Sequence, residues 1–162
     1  MELVRIDESQ IEVTSKFAQR VFIEYYTDRI GKDQSEYMAE LFLSEDAIRK
    51  LIQDGAVFKL VVEDGQILGF YECKKEENRV FLSKLYVDEP YRSKGIGKLM
   101  FEDLLDYTRS CGLNKIYLTV NKYNTPSYNI YLHLGFKVID AVVNDIGHGY
   151  VMDDYIMEYT IA

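Results

Sequence analysis

The chain has 162 residues, of which 48% are hydrophobic and 28% charged, a composition typical of one globular domain that folds without disulfides or metal ions. Its 27 acidic and 19 basic residues leave a formal net charge of −8. An acidic surface repels phosphate backbones, so we expect no nucleic acid partner. The charge favours a cationic partner such as a polyamine, or simply keeps the protein soluble. We expect a single domain spanning residues 1–162.

The cysteine, histidine and hydropathy patterns exclude several other classes of protein. Cys73 and Cys111 form no CxxC pair, and His133 and His148 lie too far apart for a local zinc motif. The charged N-terminal segment lacks the apolar core of a signal peptide, and no apolar run approaches the ~20 residues that span a membrane. We therefore expect a cytoplasmic protein with reduced thiols, no metal and no membrane association.

The first third of the chain has the periodicity of helices. Leu3 to Ile6 predicts a short strand, and apolar residues at helical spacing from Ile11 to Tyr25 predict a helix that ends at Gly31. Asp33 opens a second helical segment, which restarts at Ser44. These helices precede any strong strand signal other than the first short one.

The middle of the chain reads as a meander of three strands. Ala56 to Val62 and Ile67 to Lys74 are rich in β-branched and aromatic residues, and they flank Asp64-Gly65, a strong tight-turn signal. The two runs are therefore predicted to pair as a hairpin. Arg79 to Val87 follows as the third strand.

The last part of the chain alternates helices with strands. One helix carries Ile96, Met100 and Leu104 on a single stripe, and another begins at Asn124 or Thr125 and stops at Gly135. Strands are predicted at Lys115–Val120, Phe136–Val143 and Val151–Ile161. The resulting order is β-α-α-β-β-β-α-β-α-β-β, which is an α+β fold.

A short basic and glycine-containing loop lies between a predicted strand and a predicted helix. Its residues are Arg92, Ser93, Lys94, Gly95, Ile96, Gly97 and Lys98. A helix N-terminus exposes unpaired N–H groups, and glycine lets a ligand approach the backbone, so the loop suits a pyrophosphate. A Walker A motif would need Ser or Thr at Leu99, and a dinucleotide fingerprint would need Gly or Ala at Met100. The loop residues alone are equally consistent with a tight turn that begins a helix.

A wider pattern resembles the GCN5-related N-acetyltransferase (GNAT) family. It consists of Leu85-Tyr86-Val87, Arg92-x-x-Gly95-x-Gly97, Asn124, Tyr131 and Gly135-Phe136. The resemblance implies a mixed central sheet of about seven strands flanked by four to five helices, with central strands that splay apart to admit acyl-coenzyme A. It implies acetyl-CoA as the co-substrate. The implied donor-binding residues are Leu85, Tyr86, Val87, Arg92, Ser93, Lys94, Gly95, Ile96, Gly97, Lys98 and Asn124.

The same resemblance assigns Tyr131 as the general acid that protonates the departing thiolate. Tyr131 lies two helical turns after Asn124, so the two share one helix face; by itself Tyr131 is more typical of a core aromatic residue on an amphipathic helix. Asn124 matches a position that contacts the CoA arm or caps the helix. Several relatives carry a glutamate on the strand from Arg79 to Val87, which has none here. Glu72 on the neighbouring strand is the first candidate for the base, followed by Asp153 and Asp154.

Acceptor recognition is expected from the first helices and the last strands, as in the family. This implicates Tyr25, Tyr26, Tyr37, Asp153 and Asp154, since carboxylates beside aromatic rings suit an alkylammonium. The expected reaction is direct attack of a primary amine on the thioester, with a polyamine as the first acceptor class. The alternatives are a protein or peptide N-terminal acetyltransferase and a non-catalytic CoA-binding regulatory domain. A homodimer through the C-terminal strands is expected from resemblance alone.

Overall fold

The computed structural model describes all of residues 1–162. The strands are β1 (Glu2–Arg5), β2 (Ala56–Glu63), β3 (Gln66–Lys75), β4 (Val80–Val87), β5 (Lys115–Asn121), β6 (Lys137–Gly147) and β7 (Tyr150–Thr160). The helices are α1 (Ile11–Ile30), α2 (Lys32–Leu43), α3 (Glu45–Gln53), α4 (Ile96–Ser110) and α5 (Thr125–Leu134). Short 3-10 turns at Glu8–Gln10 and Glu89–Tyr91 precede α1 and α4. No helix is both long and apolar enough to cross a membrane.

The strands form one mixed sheet of seven, in the order β1-β2-β3-β4-β5-β7-β6. Every neighbouring pair is antiparallel except β4 and β5, which run parallel. This parallel pair is joined only at its start, where Val80 lies opposite Ile116 and Phe81 opposite Tyr117. Beyond Phe81 the strands diverge and leave a slot. The predicted α+β fold with splayed central strands is confirmed.

A β-bulge on β4 accompanies the divergence. Lys84 lies opposite Glu72 on β3, but Leu82 lies opposite Cys73, so Ser83 is an extra residue on the β4 side. A bulge bends its strand and increases the local twist. β4 therefore remains paired with β3 while it turns away from β5.

Helices cover both faces of the sheet, so the molecule has two cores. One core packs α4 against strand residues such as Leu82 and Ile116. The other packs α1, α2 and α3 against residues such as Phe58 and Phe70. Because alternate strand residues point to opposite faces, Leu85 contacts the first of these cores and its neighbour Tyr86 contacts the second.

The predicted restart of the helix at Ser44 is confirmed, because Ser44 has an extended backbone with ψ of 160° and caps α3 by accepting a hydrogen bond from Ala47 N at 3.2 Å. One strand boundary differs from the sequence prediction. β6 continues past Val143 to Gly147. Its polar end looked like a loop, but both faces of this edge strand are largely exposed, so the usual alternation of buried and polar residues does not apply.

Gly69 on β3 lies where α4 comes close to the sheet. A Cβ atom added there would be 2.7 Å from the carbonyl oxygen of Tyr86 and 3.3 Å from Cε of Met100. Backbone atoms cannot move aside as a flexible side chain can, so β3, β4 and α4 meet here with no room for a methyl group.

We predict that Gly69→Ala destabilises the protein by about 1–3 kcal/mol, because it forces apart β3 and β4. Thermal unfolding should show a Tm lower by roughly 2–12 °C. Gly97→Ala is the control: its Cβ would meet nothing within 4 Å, and alanine is the better helix former. An unchanged Tm in Gly69→Ala would contradict the close approach.

Candidate active site

A hydrogen-bonded turn leads the chain from β4 into the loop from Arg92 to Lys98, which we call the phosphate loop. Asp88 begins this turn and caps it by accepting a hydrogen bond from Glu89 N at 3.0 Å. The carboxylate of Asp88 also receives two hydrogen bonds from the Arg20 guanidinium on α1, at 3.2 and 2.9 Å. Arg92 Nε closes the turn by donating to the carbonyl oxygen of Val87 at 3.0 Å. The start of α4 is thereby held against the end of β4.

The loop presents unpaired backbone N–H groups at the start of α4. Gly95, at the helix N-cap, has a φ of 83°, a left-handed conformation that favours glycine. Leu99 is the first residue of the helix to bond back, to the Gly95 carbonyl oxygen at 3.0 Å. The N–H groups of Ile96, Gly97 and Lys98 have no acceptor in the chain, and no side chain caps the helix. Unpaired donors at the positive end of a helix dipole form an anion site.

A cleft of about 810 Å³ runs from this loop along the diverging strands. Its walls include Tyr86 and Val87 of β4, Ile130 and Tyr131 of α5, and the loop from Arg92 to Lys98 except Lys94. Lys94 instead lies with its Nζ 5.8 Å from the Tyr91 ring centre. The cleft is large enough for a cofactor-sized ligand, and its unpaired N–H groups fit the pyrophosphate that the sequence predicts.

The cleft contains one cation that the sequence did not indicate. Arg29, at the end of α1, lines the cleft and stacks its guanidinium 3.9 Å from the centre of the Tyr25 ring. Arg92 approaches the same ring at 5.3 Å. Arg29 lies far from the loop in sequence, and no local motif marks it; only the packing of α1 beside α5 brings it to the cleft.

A small inner cavity continues the slot between β4 and β5. Its volume is about 40 Å³, enough for a water molecule or the end of an alkylamine. It shares Leu85, Tyr86, Ser127 and Tyr131 with the outer cleft. The remaining walls are Tyr26, Leu82, Ser83, Lys84, Leu118, Thr119, Val120 and Asn124. The cavity and the cleft therefore meet at Tyr131.

Three tyrosine phenols surround the inner cavity. Burial raises the pKa of Tyr131 well above its ordinary value, and the neighbouring Tyr26 and Tyr25 raise it further. Burial likewise raises the pKa of Tyr26 and of Tyr86. These phenols therefore stay protonated at neutral pH. The Tyr131 hydroxyl makes no hydrogen bond within the chain, so its proton is free for a ligand, and the ring packs edge-on against Phe136 at 5.4 Å.

Asn124 is 2% exposed and ties α1 to α5. Its Oδ1 accepts hydrogen bonds from the Tyr25 hydroxyl and, at 3.3 Å, from Ser127 N, which caps α5. Its Nδ2 donates to the Tyr26 hydroxyl at 3.0 Å. Of the two roles considered for Asn124, the structure shows the helix cap directly. The structure also brings Tyr25, Tyr26 and Asn124 together beside Tyr131.

Glu72 lies on the sheet face that packs against α1 to α3, as does Phe70 two residues before it on β3. Its carboxylate already has a partner. Its carboxylate accepts a hydrogen bond from Lys84 Nζ at 2.9 Å, and the two side chains are 3% and 11% exposed. Lys84 also donates to Ser83 Oγ at 3.1 Å. A carboxylate that neutralises a buried ammonium group is poorly placed to take another proton. Glu72 does not line the inner cavity, whereas Lys84 does.

Asp153 and Asp154 point to opposite faces of β7. Met152, which shares a face with Asp154, packs against the core of α1 to α3, whereas Met157, which shares a face with Asp153, lies in the core of α4. Asp153 forms an ion pair with Lys122 at 2.9 Å. Strand alternation therefore separates the two carboxylates, so an acceptor pocket on one face of the sheet would contain only one of them. Asp154 is 3% exposed.

Tyr37 lies apart from this group, between α2 and the β6–β7 hairpin. Its hydroxyl donates to the carbonyl oxygen of Ile146 at 2.5 Å, and its ring packs 4.6 Å from His148 and 5.5 Å from Tyr150. Gln34 Nε2 on the same helix donates to the Val151 carbonyl oxygen at 3.1 Å. Tyr37 and Gln34 thus hold α2 in contact with the β6–β7 hairpin. No group of three or more His, Cys, Asp or Glu residues is arranged to hold a metal ion.

Comparison with known proteins shows which family this chain belongs to. The model of the acetyltransferase (GNAT) family matches residues 18–136, a span that contains the phosphate loop, Asn124 and Tyr131. The chain therefore belongs to the acetyltransferase (GNAT) family. The resemblance seen in the sequence is confirmed, and with it the enzyme class, N-acetyltransferase, at the level of the family.

Individual relatives share about a quarter of their residues with this chain. It is 26% identical over 140 residues to the spermidine N(1)-acetyltransferase of Thermoplasma acidophilum, covering 85% of this chain and 86% of that protein. It is 30% identical over 115 residues to the peptidyl-lysine N-acetyltransferase YjaB of Salmonella typhimurium, covering 70% and 71%. The chain spans about half the length of several other curated relatives that it matches.

A solved structure supports the fold over the whole chain. The PaiA N-acetyltransferase of Thermoplasma acidophilum, crystallised in complex with coenzyme A, superposes with a TM-score of 0.82. The sequence identity is 22%, and the superposition covers 98% of each chain. The mixed sheet with its helices on both faces is therefore the fold of this family.

We predict that Gly97→Asp raises the Kd for acetyl-CoA by roughly 10²-fold or more, because a carboxylate beside a phosphate group costs several kcal/mol. Titration calorimetry with acetyl-CoA measures the effect. An acidic residue near a helix N-terminus favours the helix, so lost binding would not reflect unfolding. Gly97→Ala, which adds bulk without charge, should lose less. Unchanged binding in Gly97→Asp would remove the loop from the donor site.

Proposed function

We propose that the protein transfers an acetyl group from acetyl-CoA to a primary amine of a small cationic molecule, with polyamines as the first acceptor class. The observation that carries the proposal is the row of unpaired N–H groups from Ile96 to Lys98. It opens into a cleft that ends at the unbonded hydroxyl of Tyr131. The spermidine acetyltransferase relative, matched over most of both chains, supports the acceptor class.

In this proposal the donor lies along β4. The edge of β4 that faces β5 is unpaired beyond Phe81, so the backbone groups of Leu85 and the N–H of Val87 are available to the amides of the pantetheine arm, while the Val87 carbonyl oxygen accepts from Arg92. The pyrophosphate would bind at the start of α4, with Arg92, Lys98 and Arg29 adding positive charge in the cleft. Ser93 and Gly95 also line the cleft near the phosphates. Tyr86 and Asn124 shape the slot rather than binding charge.

The chemistry follows from the position of Tyr131. A neutral amine attacks the thioester carbonyl, and a backbone N–H of β4 holds the oxyanion. The carbon–sulfur bond then breaks, and the Tyr131 hydroxyl gives its proton to the leaving thiolate. The phenolate takes back one proton from the amine nitrogen. Because the pKa of Tyr131 is raised, the phenol is in the acid form when the reaction begins.

The contact between α2 and the β6–β7 hairpin supports a small acceptor. Hydrogen bonds from Gln34 and Tyr37 to Val151 and Ile146 bridge the two elements. An extended peptide would need an open groove on this side. A peptide acceptor is the second candidate, favoured by the similarity to the peptidyl-lysine acetyltransferase YjaB. A purely regulatory CoA-binding domain would have no need of the unbonded Tyr131 hydroxyl.

Assembly and location remain part of the proposal. The edge strand β6 is exposed along most of its length, including Val138, Ile139 and Val143. Exposed apolar residues on an unpaired strand edge are suited to pairing with a second strand. This supports a homodimer through the C-terminal strands. The cytoplasm, where acetyl-CoA and reduced thiols coexist, is the proposed location.

We predict that Tyr131→Phe lowers kcat by roughly 10²-fold, because it removes the proton donor. The Kd for acetyl-CoA should hold, since the hydroxyl makes no bond within the chain. Tyr128→Phe is the matched control: Tyr128 lies on the same helix and packs on Tyr155 at 5.3 Å. Thiol release in the presence of an amine measures turnover. Equal turnover in Tyr131→Phe and the native enzyme would remove the acid role.

The acceptor itself is tested with acetyl-CoA-dependent thiol release against a panel of amines. The panel contains spermidine, spermine, aminoglycosides, free amino acids, aryl amines and lysine-containing peptides. We expect turnover with spermidine or spermine at a kcat/KM at least roughly tenfold above that for the peptides, since α2 is bonded to the β6–β7 hairpin where an extended peptide would need an open groove. Faster turnover of peptides would establish the second candidate. Absence of turnover with every amine would contradict the proposed activity.

A further inference from the structure

Asp154 is a buried carboxylate without a partner. It is 3% exposed, and neither a hydrogen bond nor an ion pair within the chain compensates its charge. The other buried carboxylates are satisfied: Glu72 pairs with Lys84 at 2.9 Å, and Asp88 with Arg20 at 2.9 Å. Burying an unpaired charge is costly. A site that retains one is therefore suited to a cation that arrives from outside the chain.

The position of Asp154 identifies what that cation would reach. Asp154 lies opposite Asn121 at the end of β5, where β5 has separated from β4. It is close enough to Tyr26 for its charge to raise the pKa of that phenol. Tyr26 lines the inner cavity beside Tyr131. Asp154 itself lines neither the inner cavity nor the outer cleft, so a ligand would reach it past Tyr26.

Aromatic rings pack around Tyr26, the phenol on which the charge of Asp154 acts. Tyr26 packs against Phe22 at 4.6 Å, Tyr25 at 5.0 Å and Tyr86 at 6.4 Å. Ring faces attract alkylammonium groups. A carboxylate that acts on one ring of an aromatic cluster, with no ion-pair partner of its own, matches the chemistry of a protonated alkylamine better than that of an α-amino acid, whose carboxylate it would repel.

The charged and titratable groups that act on Asp154 are few. Asp153 is its neighbour on β7, Lys122 follows β5, and Tyr26 faces it from α1. Lys122 is itself held by Asp153 at 2.9 Å, and its charge lowers the pKa of Asp154 by less than burial and Asp153 raise it. Burial first, and then the Asp153 charge, raise the pKa of Asp154 to about 6. The carboxylate is ionised at neutral pH and basic enough to accept a proton near that pH.

We propose that Asp154 binds the ammonium group of the acceptor and removes its proton, which makes it the general base of the reaction. The inference rests on the proposed function and adds a residue to it. One N–H bond of the ammonium breaks, and its proton goes to the Asp154 carboxylate, directly or through a water molecule. The amine lone pair so freed attacks the thioester carbon. After Tyr131 has protonated the thiolate and recovered a proton from the nitrogen, Asp154 releases its own proton to solvent.

The sign of the pH dependence follows from the raised pKa. Only ionised Asp154 can accept a proton, so kcat/KM should rise as the pH increases through about 6. Asp154→Asn cannot ionise and should lose this limb, together with roughly 10²-fold in kcat/KM. Asp153→Asn removes the same charge one residue away on the opposite face, where Lys122 holds it. This control should keep the limb and stay within about twofold of the native rate.

The thermal stability of Asp154→Asn distinguishes a functional role of Asp154 from a structural one. The carboxylate is costlier to ionise in the folded state than in the unfolded chain, so Asp154 opposes folding above its folded pKa. Asp154→Asn should therefore unfold at the same or a higher Tm than the native protein at pH 8. A residue that stabilised the fold would lower the Tm when removed. A lower Tm in Asp154→Asn would contradict the idea of an unpaired, functional carboxylate.

Binding of spermidine to the CoA-loaded protein distinguishes failure of this inference from failure of the proposed function. Titration calorimetry should show that Asp154→Asn weakens spermidine binding by roughly tenfold or more while coenzyme A binding holds. Suppose that the native enzyme acetylates no amine, but that Asp154→Asn binds spermidine more weakly than the native enzyme does. The proposed activity then fails, and the ammonium site stands without its catalytic step. If Asp154→Asn binds spermidine and keeps the native pH profile, Asp154 has no role at the acceptor.

Discussion

The divergence of β4 from β5 is the constraint on which the rest of the site depends. The strands pair only at Val80 and Phe81, and the bulge at Ser83 turns β4 away while β3 still holds it. Backbone N–H and C=O groups need partners wherever water is excluded. An open strand edge inside a sheet therefore offers hydrogen-bonding groups to a ligand that carries amides of its own. The same separation makes room for Tyr131 and the inner cavity between the two strands.

Polar contacts across the slot keep this opening in shape. Asn124 joins α5 to α1 through the hydroxyls of Tyr25 and Tyr26, and Arg20 joins α1 to the turn before the phosphate loop through Asp88. Each contact is buried or partly buried, where a hydrogen bond is costly to lose. The helix on the acceptor side is thus tied to both ends of the donor cleft, which preorganises the two substrates.

The basic residues of the cleft contrast with the acidic net charge of the whole chain. The protein carries a net charge of −8, yet the cleft contains Arg29, Arg92 and Lys98. A basic cleft attracts anionic groups such as phosphates. Pairing of Glu72 with Lys84 removes one buried carboxylate from this balance, and Asp154 is left as the buried carboxylate without an ion-pair partner.

The sequence by itself determined the features that are local in the chain: the helix boundaries at Gly31 and Gly135, the hairpin at Asp64-Gly65, and the phosphate loop, whose strand, turn and helix are contiguous. These follow from backbone preferences that a few neighbouring residues set. Tertiary structure alone decided the rest. Alternation along β7 places Asp153 and Asp154 on opposite faces, but only pairing with β5 and the packing of α1 decided which of them lies on the side of α1 to α3. Arg29 in the cleft and Lys84 on Glu72 likewise depend on contacts between distant segments, for which no local pattern carries a signal.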